Sequence, residues 1–215
     1  MFDTAIWFDL DGTLLDFDSY GVVLERACET VGLDGEERTT FVQAYDEQFM
    51  TLLEELADEP YRQAARAGID AAEAGADPAA FVDALHEAEC AETHVPRATV
   101  ETLAGLQASD DVGVGVLTNG VTTWQRSKLA HHELDEYVDA VVVSEEAGAH
   151  KPRTAPFDLA AERLPAADRW MVGDDRDADV AGARTAGWHA THVATPTDVP
   201  DAVAEIREST ADVPE

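Results

Sequence analysis

Acidic and polar side chains cluster at four places along the chain, and each cluster comes after a run of apolar residues. The first is Asp9-Leu10-Asp11-Gly12-Thr13, in which two carboxylates one residue apart point the same way if the backbone is extended. The second is Thr118-Asn119-Gly120, and the third is Lys151-Pro152. The fourth, residues 173–179, holds four carboxylates within six residues. These residue types are suited to binding cations and anions.

Carboxylates gathered at one place repel one another, and a hard divalent cation with oxygen ligands relieves that repulsion. Mg²⁺ suits a site made of a few carboxylates and the phosphate of a ligand. The Lys151 ammonium and the N–H groups of residues 118–120 would then hold the remaining phosphate oxygens. An ionised aspartate beside the cation could attack phosphorus, and a second carboxyl could protonate the leaving alcohol and then activate water.

The elements that must position these clusters alternate between strand and helix. A continuous apolar run at 4–8 predicts a buried strand, and the same alternation after Pro96 predicts a parallel α/β sheet. The predicted strands are 4–8, 112–117, 140–143, 169–172 and 188–193, and the predicted helices are 98–107, 124–130, 157–163 and 178–186. The acidic tail after Arg207 is expected to fray.

The segment between the first strand and Pro96 has a different pattern. Residues 19–92 are rich in Ala and Glu, have helical spacing of apolar residues, and predict about four helices. We therefore expect an α/β core formed by residues 1–15 and 95–215, with a helical cap domain at 16–94. Ligands bind at the carboxyl ends of strands in such sheets, so a domain inserted there could act as a lid.

The four clusters, in this order, resemble the four motifs of the haloacid dehalogenase (HAD) superfamily. The resemblance covers the whole α/β part, and the inserted helices resemble that superfamily's C1 cap. It implies a doubly wound parallel sheet with a Rossmann-like core. It also implies a Mg²⁺-dependent hydrolase of small phosphate monoesters that works through an aspartyl-phosphate intermediate.

The resemblance assigns roles residue by residue. Asp9 resembles the nucleophile and a Mg²⁺ ligand, and Asp11 resembles the general acid/base, with its backbone carbonyl on the metal. Thr118 and the N–H of Asn119 resemble the group that holds phosphate. Lys151 resembles the cation that stabilises the nucleophile and the transferring phosphoryl group.

The fourth cluster completes the implied metal site. Asp174 resembles a direct Mg²⁺ ligand, and Asp179 resembles a supporting carboxylate that acts through water or from behind the direct ligands. Asp175 stands where relatives often have Ser, so it either adds a ligand or only adds charge. Asp177 is expected to face solvent or cap a helix. Gly120 completes the predicted phosphate-binding segment.

Residues between the motifs suggest a branch of the superfamily. Gln125, Lys128 and the segment 144–148 are similar to nucleotidases and acylneuraminate-9-phosphate phosphatases. Lys128 itself is expected on a helix face, as a structural contact. Arg62 and Arg66, one helical turn apart in the cap, could face a substrate but are expected to be solvated.

Other functions on this scaffold remain open. A phosphomutase would use the same residues and would depend on a bisphosphate cofactor. A 2-haloacid dehalogenase is disfavoured because such enzymes lack a carboxyl at the position of Asp11. A phosphonate hydrolase needs a cap lysine, and residues 16–94 contain none. A non-catalytic phosphate-binding regulator is a further alternative, against which the intact motifs argue.

The charge of the chain restricts its partners. Among 215 residues, 45 are acidic and 14 are basic, which gives a formal net charge of −31. Such a surface repels nucleic acid and anionic lipid, so we expect neither as a partner. The resemblance implies a small phosphorylated metabolite as partner, and we expect a monomer or weak homodimer. Acid excess, with only two lysines among those cations, predicts a halophilic protein whose self-repulsion is screened by salt.

The sequence also predicts the cellular compartment. Cys28 and Cys90 are too few for a disulfide framework, so free thiols are expected. No run of residues is apolar enough to span a bilayer, and the N-terminus lacks the pattern of a signal peptide. These observations predict a cytoplasmic protein.

Overall fold

A computed structural model describes residues 2–17 and 19–211 of the chain. Its backbone contacts divide the chain into two compact units: Met1–Asp16 with His94–Glu215, and Phe17–Thr93. The sequence prediction had placed these boundaries after residues 15 and 94. The chain passes between the units within two short strands, β2 (Asp16–Phe17) and β3 (Thr93–His94).

The first unit is built on a five-stranded parallel sheet. The strands of this sheet are β1 (Phe2–Phe8), β4 (Val112–Thr118), β5 (Ala140–Val143), β6 (Ala166–Gly173) and β7 (His189–His192). They lie in the order β5-β4-β1-β6-β7, and every neighbouring pair is parallel. Because the strands are parallel, the carboxyl ends of β1, β4 and β6 lie at the same edge of the sheet. The chain winds outward from β1 in both directions, and ligands bind at such a switch point in sheets of this kind.

Both faces of this sheet are covered, which explains why its strands are apolar without alternation. The helices of this unit are α5 (Arg97–Gln107), α6 (Thr122–His131), α7 (Thr154–Arg163), α8 (Gly182–Thr185) and α9 (Val199–Ala211). Ile6 and Phe8 of β1 pack into one cluster with residues of α5, α6 and α9, whereas Trp7 packs into a second cluster with residues of α7 and α8. The predicted doubly wound α/β fold is confirmed.

Three elements differ from the sequence prediction. Strand β6 begins at Ala166, three residues before its apolar run. The segment predicted as a plain helix from residue 178 starts with a π-helical turn, Arg176–Ala181, and only its end is α-helical. The prediction of fraying after Arg207 is wrong up to Ala211, because α9 continues to that residue; residues 212–215 lie outside the described part.

The second unit consists of helices, as predicted. They are α1 (Tyr20–Thr30), α2 (Gly35–Glu54), α3 (Pro60–Ala71) and α4 (Pro78–Glu92). The side chains of Ser19 and Asp77 cap the N-termini of α1 and α4. Phe41, Tyr45 and Phe81 are buried in ring-to-ring contact at its centre. Aromatic burial of this kind stabilises a small bundle.

Two further predictions concern single features. Cys28 and Cys90 are buried and are not joined in a disulfide, as expected, and burial raises the pKa of Cys28 to about 11. Within residues 2–17 and 19–211, we find no helix whose length and apolar character would let it cross a bilayer.

Candidate active site

The first strand ends in a tight turn that places two carboxylates. The Asp9 N–H donates to Val172 O at 2.9 Å, so the sheet ladder reaches the nucleophile candidate itself. Gly12 then turns the chain with φ +82°, a conformation that residues with a Cβ rarely adopt. A Cβ at this position would lie 2.6 Å from Asp174 Oδ2. The glycine therefore permits both the turn and the close approach of the fourth motif.

Three carboxylates converge where β1 and β6 end. One oxygen from each of Asp9, Asp174 and Asp179 lies within 4.8 Å of the others. The donor set consists of hard oxygen atoms from carboxylates, which is what Mg²⁺ prefers. Asp9 and Asp174 are partly exposed, whereas Asp179 is fully buried. The residues present therefore fit a small divalent cation.

Lys151 neutralises part of this cluster. Its buried ammonium donates to Asp9 Oδ1 at 2.9 Å, Asp179 Oδ1 at 2.6 Å and Leu117 O at 2.7 Å, which accounts for all three of its N–H groups. Burial alone would lower the pKa of Lys151, but the charges of Asp9 and Asp179 outweigh it and raise that pKa. Lys151 therefore contacts the nucleophile candidate Asp9 directly, whereas a contact between Lys151 and phosphate remains a prediction.

Asp174 is oriented by a residue that sequence reasoning left without a role. The buried Thr13 hydroxyl donates to Asp174 Oδ1 at 2.8 Å and accepts from the Asp174 N–H at 3.1 Å. Burial raises the pKa of Asp174, and the bond from Thr13 opposes that effect. The signal in the sequence was the hydroxyl that follows the Asp-x-Asp-Gly segment.

Asp179 has both oxygens engaged by protein. Oδ1 accepts from Lys151, and Oδ2 accepts from the Asp175 N–H at 3.1 Å. Burial raises the pKa of Asp179 above its ordinary value, and the charge of Lys151 only partly opposes that effect. A Cβ on Gly173 would lie 2.1 Å from Asp179 Oδ2, so only glycine fits there. This arrangement supports a carboxylate that acts behind the direct ligands.

The side chain of Asp175 bonds the backbone of the acidic loop. Its Oδ1 accepts from the N–H groups of Asp177 at 2.8 Å and Ala178 at 2.9 Å, so it caps the π-helical turn. The Val180 N–H donates to Asp175 O, five residues earlier, which widens the turn. The side chain of Asp175 thus orders the acidic loop, and it lies outside the three-carboxylate cluster among the described residues.

The second motif is tied to the third by paired hydrogen bonds. Asn119 Nδ2 donates to Lys151 O at 3.1 Å, and the Lys151 N–H donates to Asn119 Oδ1 at 2.8 Å. The Gly120 N–H donates to Ser144 Oγ at 3.0 Å, so this amide, predicted to face phosphate, has a protein partner. Thr118 is buried at the end of β4. The side chain of Asn119 thus positions Lys151.

The carboxylate of Asp11 has partners that we did not predict. Lys128 Nζ contacts Asp11 Oδ1 at 2.6 Å and Oδ2 at 2.7 Å, and Gln125 Nε2 donates to Oδ2 at 2.8 Å. Lys128 lies on helix α6, as expected, and the group that it contacts there is the carboxylate of Asp11. The chain has only two lysines, and both of them, Lys128 and Lys151, bond a carboxylate of this site.

Arg62 and Arg66 of α3 are exposed, as expected. Together with Glu59, Gln63, Ala67 and Asp70 they line a cavity of about 470 Å³. Arg62 lies 3.7 Å from Glu59, an exposed pair of the kind that contributes little to stability. The cavity lining contains acidic and basic side chains together, so its charge selects no class of ligand.

The fold and the site together define a doubly wound α/β protein with an acidic centre at the strand ends. The chain belongs to the haloacid dehalogenase-like hydrolase family, whose model matches residues 4–187. It is 35% identical over 197 residues to ribulose-1,5-bisphosphate 5-phosphatase of Halopiger xanaduensis, covering 86% of this chain and 82% of that protein.

Two further similarities agree with this family. The chain is 28% identical over 194 residues to glyceraldehyde 3-phosphate phosphatase of Methanothermobacter thermautotrophicus, covering 86% of this chain and 83% of that protein. Its fold matches the crystal structure of the HAD hydrolase YfnB of Bacillus subtilis, described as bound to magnesium. That match has a TM-score of 0.67 at 22% identity and covers 90% of this chain and 89% of the other.

Proposed function

We propose that this protein hydrolyses phosphate monoesters of small metabolites through a phosphoryl group carried on Asp9. The observation that carries the proposal is the convergence of Asp9, Asp174 and Asp179 around one point, with Lys151 bonded to Asp9 Oδ1. Relatives named as phosphatases of small phosphorylated sugars support the reaction class. We propose Mg²⁺ as the cofactor, held by Asp9 and Asp174, with Asp179 in support and the Asp11 carbonyl as a further ligand.

The proposed reaction has two steps. In the first, an Asp9 oxygen attacks phosphorus, the bond from phosphorus to the leaving oxygen breaks, and Asp11 gives its proton to that oxygen. In the second, water attacks the phosphorus, Asp11 takes a proton from the water, and the bond from phosphorus to Asp9 breaks. Phosphate leaves, and Asp9 is again a carboxylate. When bound, Mg²⁺ supplies positive charge that stabilises the phosphoryl oxygens.

The remaining site residues hold the phosphate in this proposal. Thr118 and the Asn119 N–H lie at the carboxyl end of β4 and would bind the phosphate, and Lys151 stabilises the charge of Asp9. Gly120, whose N–H is bonded to Ser144, completes the turn of this segment. Positioning and electrostatics then supply most of the rate enhancement.

We also propose that the protein works in a salt-rich cytoplasm. The chain has 45 acidic and 14 basic residues, so its negative charges repel one another unless salt screens them. A relative comes from Halopiger xanaduensis. Cys28 and Cys90 are not joined in a disulfide, which fits a reducing compartment. The acidic surface argues against nucleic acid and membrane partners, and we expect a monomer or weak homodimer.

A phosphate-release screen tests the proposed function. The protein in molar KCl is incubated with nucleotides, sugar phosphates and p-nitrophenyl phosphate, with Mg²⁺ or with a chelator. We expect release that requires Mg²⁺ and is lost in Asp9→Asn. Turnover retained by Asp9→Asn would refute the assignment. Mg²⁺-dependent binding of phosphate analogues without turnover would instead favour the non-catalytic alternative.

A further inference from the structure

Lys128 and Gln125, on the inner side of α6, hold the carboxylate of Asp11. The Lys128 side chain is only 2% exposed, whereas the Asp11 side chain is 36% exposed. Lys128 Nζ lies 2.6 Å from Oδ1 and 2.7 Å from Oδ2, so one ammonium bonds both oxygens. Lysine is rarely buried to this degree, and ordinary surface ion pairs form between two exposed side chains. The burial of Lys128 beside a partly exposed carboxylate therefore distinguishes this pair from a surface ion pair.

Gln125 adds a second constraint to the same carboxylate. Its Nε2 donates to Asp11 Oδ2 at 2.8 Å, and it also reaches Thr118 Oγ1 and Asn119 O, each at 3.0 Å. Gln125 is itself buried. One side chain thus connects the acid/base candidate to the segment that we propose holds phosphate. Gln125 of α6 therefore fixes the position of the Asp11 carboxylate relative to Thr118 and Asn119.

The two oxygens of Asp11 are not equivalent in this arrangement. A carboxylate oxygen has two lone pairs. Oδ2 receives both the Gln125 amide and the Lys128 ammonium, whereas the bond that the structure shows to Oδ1 comes from Lys128. Oδ1 is thus the atom that keeps a lone pair for a proton that moves during the reaction.

We propose that Lys128 and Gln125 are positioning residues that orient Asp11 so that Oδ1 exchanges the proton with the leaving oxygen and then with water. This inference rests on the proposed function. Without the two partners, the Asp11 side chain would rotate in its partly open setting, and the proton donor would have to be oriented during each turnover.

The dependence of rate on the leaving group tests this inference. The probes are 2,4-dinitrophenyl, p-nitrophenyl and phenyl phosphate, whose leaving groups need proton donation to increasing degrees. The variants Lys128→Met and Gln125→Met keep side-chain length and remove the donors. We expect kcat/KM for phenyl phosphate to fall at least ~10-fold more than that for 2,4-dinitrophenyl phosphate. The ~10²–10⁴-fold that general acid catalysis contributes sets the upper bound of this difference.

Three controls separate positioning from general damage. Arg126→Met removes a cation from the same helix, where Arg126 contacts Val141 O and Glu146, and should leave the leaving-group dependence unchanged. Asp11→Asn should show the same steep dependence as Lys128→Met. Adding Lys128→Met to Asp11→Asn should then cause no further steepening. If Lys128→Met fails to fold, the milder Gln125→Met carries the test.

Each outcome decides between distinct failures. Equal losses on all three esters in both Met variants, with Asp11→Asn steep, would overturn the positioning role alone. An Asp11→Asn variant without steepening would remove the acid/base role of Asp11, and the inference with it. Wild-type protein that fails to release phosphate from any of the esters would overturn the proposed function.

Discussion

The buried ammonium of Lys151 lies 2.9 Å from Asp9 Oδ1 and 2.6 Å from Asp179 Oδ1. The same cation therefore bonds the candidate nucleophile and the most deeply buried carboxylate of the site. Oxygen atoms of Asp9 and Asp179 lie within 4.8 Å of each other, so the two carboxylates would repel each other strongly without the Lys151 ammonium. Lys151 thus stabilises the fold at the site and, in the proposed mechanism, the group that attacks phosphorus.

Replacing Lys151 with Met should leave the two carboxylates without their shared cation. Breaking a buried ion pair by removing one partner destabilises proteins by about 3–5 kcal/mol. We expect a loss of this size in the free energy of unfolding, and partial recovery when Mg²⁺ is added, since a divalent cation supplies positive charge to the same cluster. Urea unfolding with and without Mg²⁺ measures both. Unchanged stability without Mg²⁺ would contradict the account.

Gly173→Ala should displace Asp179. The added Cβ would lie 2.1 Å from Asp179 Oδ2, and overpacking of this kind costs about 1–3 kcal/mol. We expect lower stability together with weaker Mg²⁺ binding, measured by thermal unfolding and calorimetric titration. Gly105→Ala is the matched control, because its Cβ would meet nothing within 4 Å and it lies within a helix. A helix glycine replaced by alanine should stabilise by about 0.5–1 kcal/mol. Equal behaviour of the two variants would count against the prediction.

Thr13→Val should weaken metal binding while keeping the shape of the side chain. The lost hydroxyl donates to Asp174 Oδ1, and removing a partner of a metal ligand typically lowers affinity about 10–100-fold. Thr13→Ser retains the hydroxyl and should stay within a few-fold of wild type. Calorimetric titration with Mg²⁺ distinguishes the two. A Val variant that binds Mg²⁺ as tightly as the Ser variant would show that Thr13 does not orient Asp174.

The acidic composition predicts a strong dependence of stability on salt. At about 1 M salt the Debye length is only ~3 Å, so repulsion among exposed carboxylates largely disappears. We expect the free energy of unfolding to rise steadily as KCl is raised from low to molar concentration. Unfolding in KCl is compared with unfolding in sucrose, which acts without screening charge. Stability that is independent of KCl would contradict the prediction.

The continuous elements of the fold could be predicted because apolar runs and helical spacing are local signals. The run at 4–8 and the valine-rich strand at 140–143 lie within observed strands. Strand β6 extends to Ala166 because residues there pair with β1 at Phe2 and Thr4, a contact distant in sequence. Helix α9 was missed although Val199, Ala202, Val203 and Ile206 are buried at helical spacing. Acidic residues are interspersed among the apolar ones in this segment, which weakens the local signal for a helix.

The site was predictable in its motif residues and not in their supports. Asp9 and Asp174 follow strands, so their meeting at one sheet edge follows from parallel topology. The π-helical turn at Arg176–Ala181 was not predictable, because its widening depends on how the Asp175 side chain and carbonyl cap the turn. Lys128 was assigned to a helix face because helical spacing does not show which face of α6 meets Asp11.

The most direct test of the central claim is to locate the phosphoryl group during turnover. The Asp11→Asn variant, expected to hydrolyse the intermediate slowly, is mixed with p-nitrophenyl phosphate and Mg²⁺ in molar KCl, quenched in acid and analysed by mass spectrometry of peptides. The proposed mechanism predicts a phosphorylated peptide that contains Asp9, and this peptide is absent when Asp9 is also changed to Asn. Turnover without phosphate on Asp9, or phosphate on a different residue, would contradict it.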